Sequence, residues 1–178
     1  MIVALLLTTV LLALGMGLVA LTNVETAVAA NFRRAGDALQ AADAGIEIAA
    51  ARLSAADWGV VLSAVEPLAC GGPDGSPVAP TGFYRTDRWG ANGPVWRLYV
   101  CGPLQDQMPG EAVDPVTVLA IWLADDPSEA DDDPILDTNQ RLTVRAEAFG
   151  PGGTHAAIEA TVARAGPGVR ILSWRVLR

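Results

Sequence analysis

The 178-residue sequence has no lysine, one histidine and two cysteines, and no charged side chain precedes Glu25. Each scarcity removes a class of function. Twelve arginines face 20 acids, for a net charge of −8. An acidic chain without a basic stripe has no clustered cations to meet phosphates, so no nucleic-acid site is expected. The single histidine, His155, leaves no conventional Ser-His-Asp set and no histidine-rich zinc site. It follows a glycine-rich turn and reads as a solvated turn residue. Cys70 and Cys101 lack the CxxC spacing of redox or zinc motifs. Exported domains commonly pair such cysteines, and structural bridging is favoured over free thiols, although two cysteines alone do not prove a bridge. With no residue set for an anchored hydrolase, the chain is expected to be non-enzymatic and to have no obligate cofactor.

What is present is a long apolar start. Met1 to Leu21 carries no charge, and about 20 apolar residues in a helix span roughly 30 Å, the thickness of a bilayer's hydrocarbon core. A secretory signal offers a basic flank, a shorter apolar stretch and a small-residue cleavage site. Ala27-Val28-Ala29 has the look of that tripeptide, but the basic flank is missing and the apolar run is too long. The missing flank points to a leader absent from this sequence. Helix periodicity then continues past Glu25. No proline interrupts Asn31 to Leu53, alanine is frequent, and Phe32, Leu39, Ile46 and Leu53 recur at a heptad step. Ala35, Ala42 and Ala49 join them in one apolar stripe suited to a sheet, while Arg33, Asp37, Asp43 and Glu47 lie off it. Gly15 and Gly17 soften the span or serve as packing sites.

Three segments follow from this pattern: residues 1–28, an apolar half of the helix suited to a membrane; 29–54, its amphipathic half; and 55–178, a β-rich globular head. Ser54 to Asp57 breaks the helix, and Cys70-Gly71-Gly72-Pro73-Asp74-Gly75 is dense in turn formers. Strands are expected at Gly82–Arg85, Val95–Cys101, Val116–Leu123, Leu142–Phe149, His155–Ala165 and Val169–Leu177. Gly150-Pro151-Gly152-Gly153 joins two of these in a hairpin with more than a two-residue loop. The fold class is α+β: a long N-terminal helix, about residues 1–54, packed on a four- or five-stranded antiparallel sheet. Of the tryptophans, Trp96, Trp122 and Trp174 belong to the core or a sheet face, and Trp89 is the candidate for an exposed contact.

One acidic run has ligand potential: Asp125-Asp126, Glu129, Asp131-Asp132-Asp133, Asp137 and Asn139. Calcium takes six to eight oxygens, and Asp131, Asp133, Asp137 and Asn139 are the candidates to supply them. The run lacks the glycine and terminal glutamate of an EF-hand loop, and a merely solvated loop is the competing reading.

Residues 1–53 resemble the type IV pilin family, most of all its PilX-like minor pilins. The resemblance is carried by Ile2-Val3-Ala4-Leu5-Leu6-Leu7, Leu18-Val19-Ala20-Leu21, Glu25, Ala29-Ala30-Asn31 and Ala38-Leu39-Gln40-Ala41-Ala42-Asp43-Ala44-Gly45-Ile46-Glu47; beyond residue 53 only the architecture and Leu172-Ser173-Trp174-Arg175 echo it. It implies storage in a bacterial inner membrane with the head outside the cytoplasm, leader removal by a prepilin peptidase, and incorporation into a surface filament. The implied partners are other pilins, membrane lipid and the pilus assembly machinery. Leu5, Leu12, Gly15, Gly17, Leu21 and Glu25 are the implied helix assembly face. One departure stands out. Major pilins carry a glutamate at the fifth mature position, where this sequence has Leu5 and no acid before Glu25. Some minor pilins and a pseudopilin of type II secretion also lack it, which favours a minor, tip-located subunit. The alternatives are a single-pass, membrane-anchored extracytoplasmic binding module that never polymerises and a type II secretion pseudopilin.

Overall fold

A computed structural model describes residues 1–64, 70–78, 95–111, 113, 115–129, 131 and 133–177. The expected strand at Gly82–Arg85, and Trp89, lie outside them. The first element is α1 (Ile2–Ala55), followed by α2 (Trp58–Ser63), β1 (Cys70–Gly71), β2 (Pro77–Val78), β3 (Arg97–Pro103), α3 (Leu104–Gln107), β4 (Val118–Asp125), β5 (Arg141–Phe149), β6 (His155–Ala165) and β7 (Gly168–Leu177). The chain divides into two compact units, Met1–Gly36 and Asp37–Arg178.

In the first unit every side chain from Met1 to Ala29 is exposed. This stretch is long and apolar enough to cross a membrane. Its few hydroxyls are satisfied inside the helix: Thr8 donates to the Leu5 carbonyl at 2.9 Å, Thr9 to Leu6 at 2.8 Å, Thr22 to Leu18 at 3.0 Å and Thr26 to Thr22 at 2.8 Å. A hydroxyl bonded to its own backbone removes most of the cost of meeting hydrocarbon.

The second unit is α+β. The last part of α1 lies on a five-stranded antiparallel sheet of order β3-β4-β5-β6-β7, each strand pairing with its sequence neighbour. The buried residues of α1 are Ala38, Ala41, Ala42, Gly45, Ile46, Ala49 and Leu53, spaced three or four apart along one face. Ile46 and Leu53 are the large members, each worth roughly 1.5–3 kcal/mol on full burial. Gly45 marks the closest approach. A Cβ there would lie 2.8 Å from Ala146 Cβ and 2.8 Å from Leu119 Cδ1, so only hydrogen fits between α1 and strands β4 and β5.

Alternation sorts the sheet into two faces. Leu119, Ile121 and Leu123 of β4, Leu142, Val144, Ala146 and Ala148 of β5, and Ile158, Ala160 and Val162 of β6 form the core with the helix. On the other face Ala120, Trp122 and Ala124 pack with Trp96 and Cys70. Covered on both sides, β4 has seven of its eight residues buried in unbroken succession.

Local chemistry ends and joins these elements. Trp58 Nε1 donates to the Leu53 carbonyl at 2.9 Å, and Arg164 donates to the Ala56 carbonyl at 2.6 Å, so the acceptors freed at the end of α1 find partners. Asp57 caps α2 by accepting from the amides of Gly59 and Val60. β5 and β6 form the expected hairpin, Phe149 opposite His155, over a five-residue loop. β6 turns into β7 through Gly166-Pro167, where Gly166 has φ +61°, the left-handed first position of a mirror-image hairpin turn. A bulge at Leu172 interrupts that last pairing, as one at Tyr99 does between β3 and β4.

Candidate functional site

The residues expected to form an assembly face are all exposed: Leu5, Leu12, Gly15, Gly17, Leu21 and Glu25. Cβ atoms added at Gly15 or Gly17 would meet nothing within 4 Å, so both glycines leave room for a close neighbour. The expected sheet-facing stripe needs correction at its N-terminal end. Ile46 and Leu53 are buried and Leu39 half-buried, but Phe32 is 78% exposed. Phe32 falls in the first unit; the buried stripe begins at Ala38 in the second and consists mainly of small residues.

Cys70 and Cys101 form a disulfide with a Cα–Cα distance of 5.5 Å. It joins β1 to β3 and lies beside Trp96 and Trp122, on the sheet face turned from the helix. The same face carries a polar network. Arg145 pairs with Glu159 at 2.7 Å, and its guanidinium lies 4.5 Å over the Trp96 ring. Arg175 holds the other Glu159 oxygen. His155, expected to be a solvated turn residue, is exposed as the first residue of β6, where it also meets the buried Glu147 at 2.7 Å and stacks on Phe149 with ring centroids 4.8 Å apart. The register explains it: in adjacent strands Glu147 and His155 fall on the same face, a position the sequence pattern of one strand alone does not reveal. Trp96 and Trp122 are buried as expected. Trp174 is 48% exposed on edge strand β7, where its indole donates to Asp43 of α1 at 3.1 Å.

The acidic run folds into something different from the loop foreseen. Of the four expected ligands only Asp137 joins a convergent cluster; its companions are Asp125 and Glu129, with one oxygen from each lying within 4.8 Å of the others. The remaining candidates serve their own loop. Asp131 accepts from the Asp133 amide at 3.2 Å, Asp133 from the Ile135 amide at 3.1 Å, and the Asn139 side chain donates to Asp126 at 3.5 Å. Asp126 is further engaged by the Ser128 amide and hydroxyl.

Asp125 is the last residue of β4 and follows Leu119, Ile121 and Leu123 on the inward face, so alternation drives a carboxylate into the core's end. It is 1% exposed, and neither of its carboxylate oxygens has a hydrogen-bond partner. Glu129 accepts from the Thr138 amide at 2.8 Å through Oε1, whereas its buried Oε2 has no such partner. Asp137 accepts from the Arg141 amide at 3.2 Å. Burial raises the Asp125 carboxyl to about 7; the neighbouring Asp126 backbone amide, outside hydrogen-bonding geometry, opposes the shift, and the charges of Glu129, Asp137 and Asp131 add to it. Glu129 and Asp137 are also raised by burial, the latter opposed by backbone amides and by Arg164. Sequence reading missed Asp125 and Glu129 as a pair because one ends a strand and the other a turn; strand parity was the available signal for Asp125.

Comparison with known protein families, characterised proteins and solved structures returns no match.

Proposed function

We propose that this chain is a structural, non-enzymatic subunit of a type IV pilus or pilus-like filament, in a minor role that primes assembly or sits near the tip. One observation carries the reading: a single helix, Ile2–Ala55, that is apolar from Ile2 to Leu21, exposed as far as Ala29, and then buries a stripe of small residues under an antiparallel sheet. A simple anchor needs only about 20 apolar residues. It gives no reason for the helix to continue into the core of the head. A filament subunit does, because the helix must transmit the position of the head to a bundle of sister helices. No acid lies in the apolar span before Glu25, although major pilins carry one near the start of theirs, which supports a minor position over the main repeating one.

The filament reading also supplies a purpose for the internally bonded threonines. A span whose hydroxyls are already satisfied exchanges lipid for protein neighbours without breaking a hydrogen bond. The test is fractionation. Surface filaments sheared from cells producing the chain should contain it, at a level well below the main subunit. Recovery exclusively in inner-membrane fractions, with filaments present but free of the chain, would instead favour an anchored binding module that does not polymerise.

A further inference from the structure

We propose that Asp125, Glu129 and Asp137 bind a calcium ion that fastens the connection between β4 and β5 to the end of the sheet. Three observations converge on it. First, one oxygen from each of three carboxylates lies within 4.8 Å of the other two, and a single ion with bonds of about 2.4 Å reaches oxygens separated by up to about twice that length. Second, two of these groups are more than nine-tenths buried, and they carry unpartnered oxygens: both oxygens of Asp125 and Oε2 of Glu129. Buried polar atoms in folded proteins are nearly always hydrogen-bonded, so three orphaned carboxylate oxygens in one cluster call for a partner. Third, neighbouring hydrogen bonds hold the ligands in place while leaving these oxygens free. The Thr138 amide fixes Oε1 of Glu129, and the Arg141 amide fixes Asp137.

The donor set selects the ion. All three groups are hard oxygen ligands, with no histidine or cysteine among them, which suits calcium, magnesium or manganese over zinc or copper. Magnesium demands near-ideal octahedral geometry at bonds of about 2.1 Å and gives up its water reluctantly, whereas calcium accepts irregular carboxylate clusters such as one strand end and two loop positions provide. The arginine whose charge acts on Asp137 is no substitute. Arg164 donates to the Ala56 carbonyl and lies 4.6 Å over the Trp58 ring, so its guanidinium is committed to the end of α1. The ion joins Asp125 to Asp137 across a sequence separation of 12, pinning both ends of the acidic connection at once.

The experiment uses the full chain in detergent, stripped with a chelator and returned to pH 8. Calcium titrated by calorimetry should give one saturable site with Kd on the order of 10⁻⁴ M, in the range of extracellular modules. At a hundredfold excess over Kd the melting midpoint should rise by about 5–10 °C. Magnesium at the same concentration should give less than a third of that rise. Asp125→Asn should abolish both the heat and the shift, while Asp131→Asn, outside the cluster, should keep them. Terbium luminescence on the unaltered chain, quenched stoichiometrically by calcium, decides the matter if Asp125→Asn does not fold. No saturable heat and no melting shift at 10 mM calcium overturns the proposal, and so does a shift that survives in a folded Asp125→Asn protein.

Discussion

Replacing Gly45 by alanine tests the packing on which the head is built. Alanine is the better helix former, so at an open position the change stabilises by about 0.5–1 kcal/mol. Gly36, in the same helix, offers that open position, since a Cβ there meets nothing within 4 Å. At Gly45 the added methyl lies 2.8 Å from Ala146 Cβ and from Leu119 Cδ1. The leucine can rotate aside, but Ala146 Cβ is fixed to the backbone of β5, so α1 and the sheet must part by several tenths of an ångström. Overpacking of this kind costs about 1–3 kcal/mol. The net expectation is a loss of about 1 kcal/mol for Gly45→Ala against a gain of about 0.5–1 kcal/mol for Gly36→Ala. Urea unfolding of the full chain in detergent, followed by tryptophan fluorescence, resolves a difference of that size. Adding Ala146→Gly to Gly45→Ala should recover part of the loss, with a coupling of about 1 kcal/mol. If Gly45→Ala stabilises as much as Gly36→Ala does, the close approach of α1 to β4 and β5 is refuted.

Two further outcomes follow from features elsewhere in the head. Breaking the Cys70–Cys101 bridge with Cys101→Ser frees a loop with a sequence separation of 31 and should cost about 3–4 kcal/mol, read as a lower urea midpoint. In chelator, the buried Asp125 makes stability fall as pH rises. The folded chain keeps that proton up to about 7, while the unfolded chain releases it near 3.8, so the folded state holds more protons between the two values. Such a shift is worth at most about 4 kcal/mol, and relaxation of the surroundings around the buried charge reduces the expected loss to about 1–2 kcal/mol. Asp125→Asn should flatten the thermal-melting profile between pH 4 and 7; an unchanged slope would show that another group is responsible.

Much of the head was legible because alternation is a local signal. Leu142–Phe149 and His155–Ala165 read directly as paired strands, and the glycine-rich stretch between them as their loop. Val118–Asp125 carried a different signal, an unbroken apolar run, because Trp96 and Cys70 cover the face that the helix does not. The helix stripe was legible in phase and, at Ala42, Ile46, Ala49 and Leu53, in composition. Periodicity also drew attention to Phe32 and Leu39, whereas the sheet approaches so closely that the small Ala38, Ala41 and Gly45 are further residues it accepts. The acidic cluster was the least legible feature. Its members lie on a strand end, a turn and a loop, and only the fold shows that Asp125 faces inward while the more conspicuous Asp131 and Asp133 bind their own amides. The pairing of Glu147 with His155 is illegible for the same reason, since it depends on the register between two strands.

The bridge between Cys70 and Cys101 also governs what a broken backbone looks like. A protease that cuts once between those two positions leaves fragments covalently tethered, with α1 on one and β4 to β7 on the other. Such a nicked molecule migrates as a whole until reductant is added. Damage to that segment therefore does not release the sheet from its long apolar helix, and the two stay attached through sulfur after the peptide chain has parted.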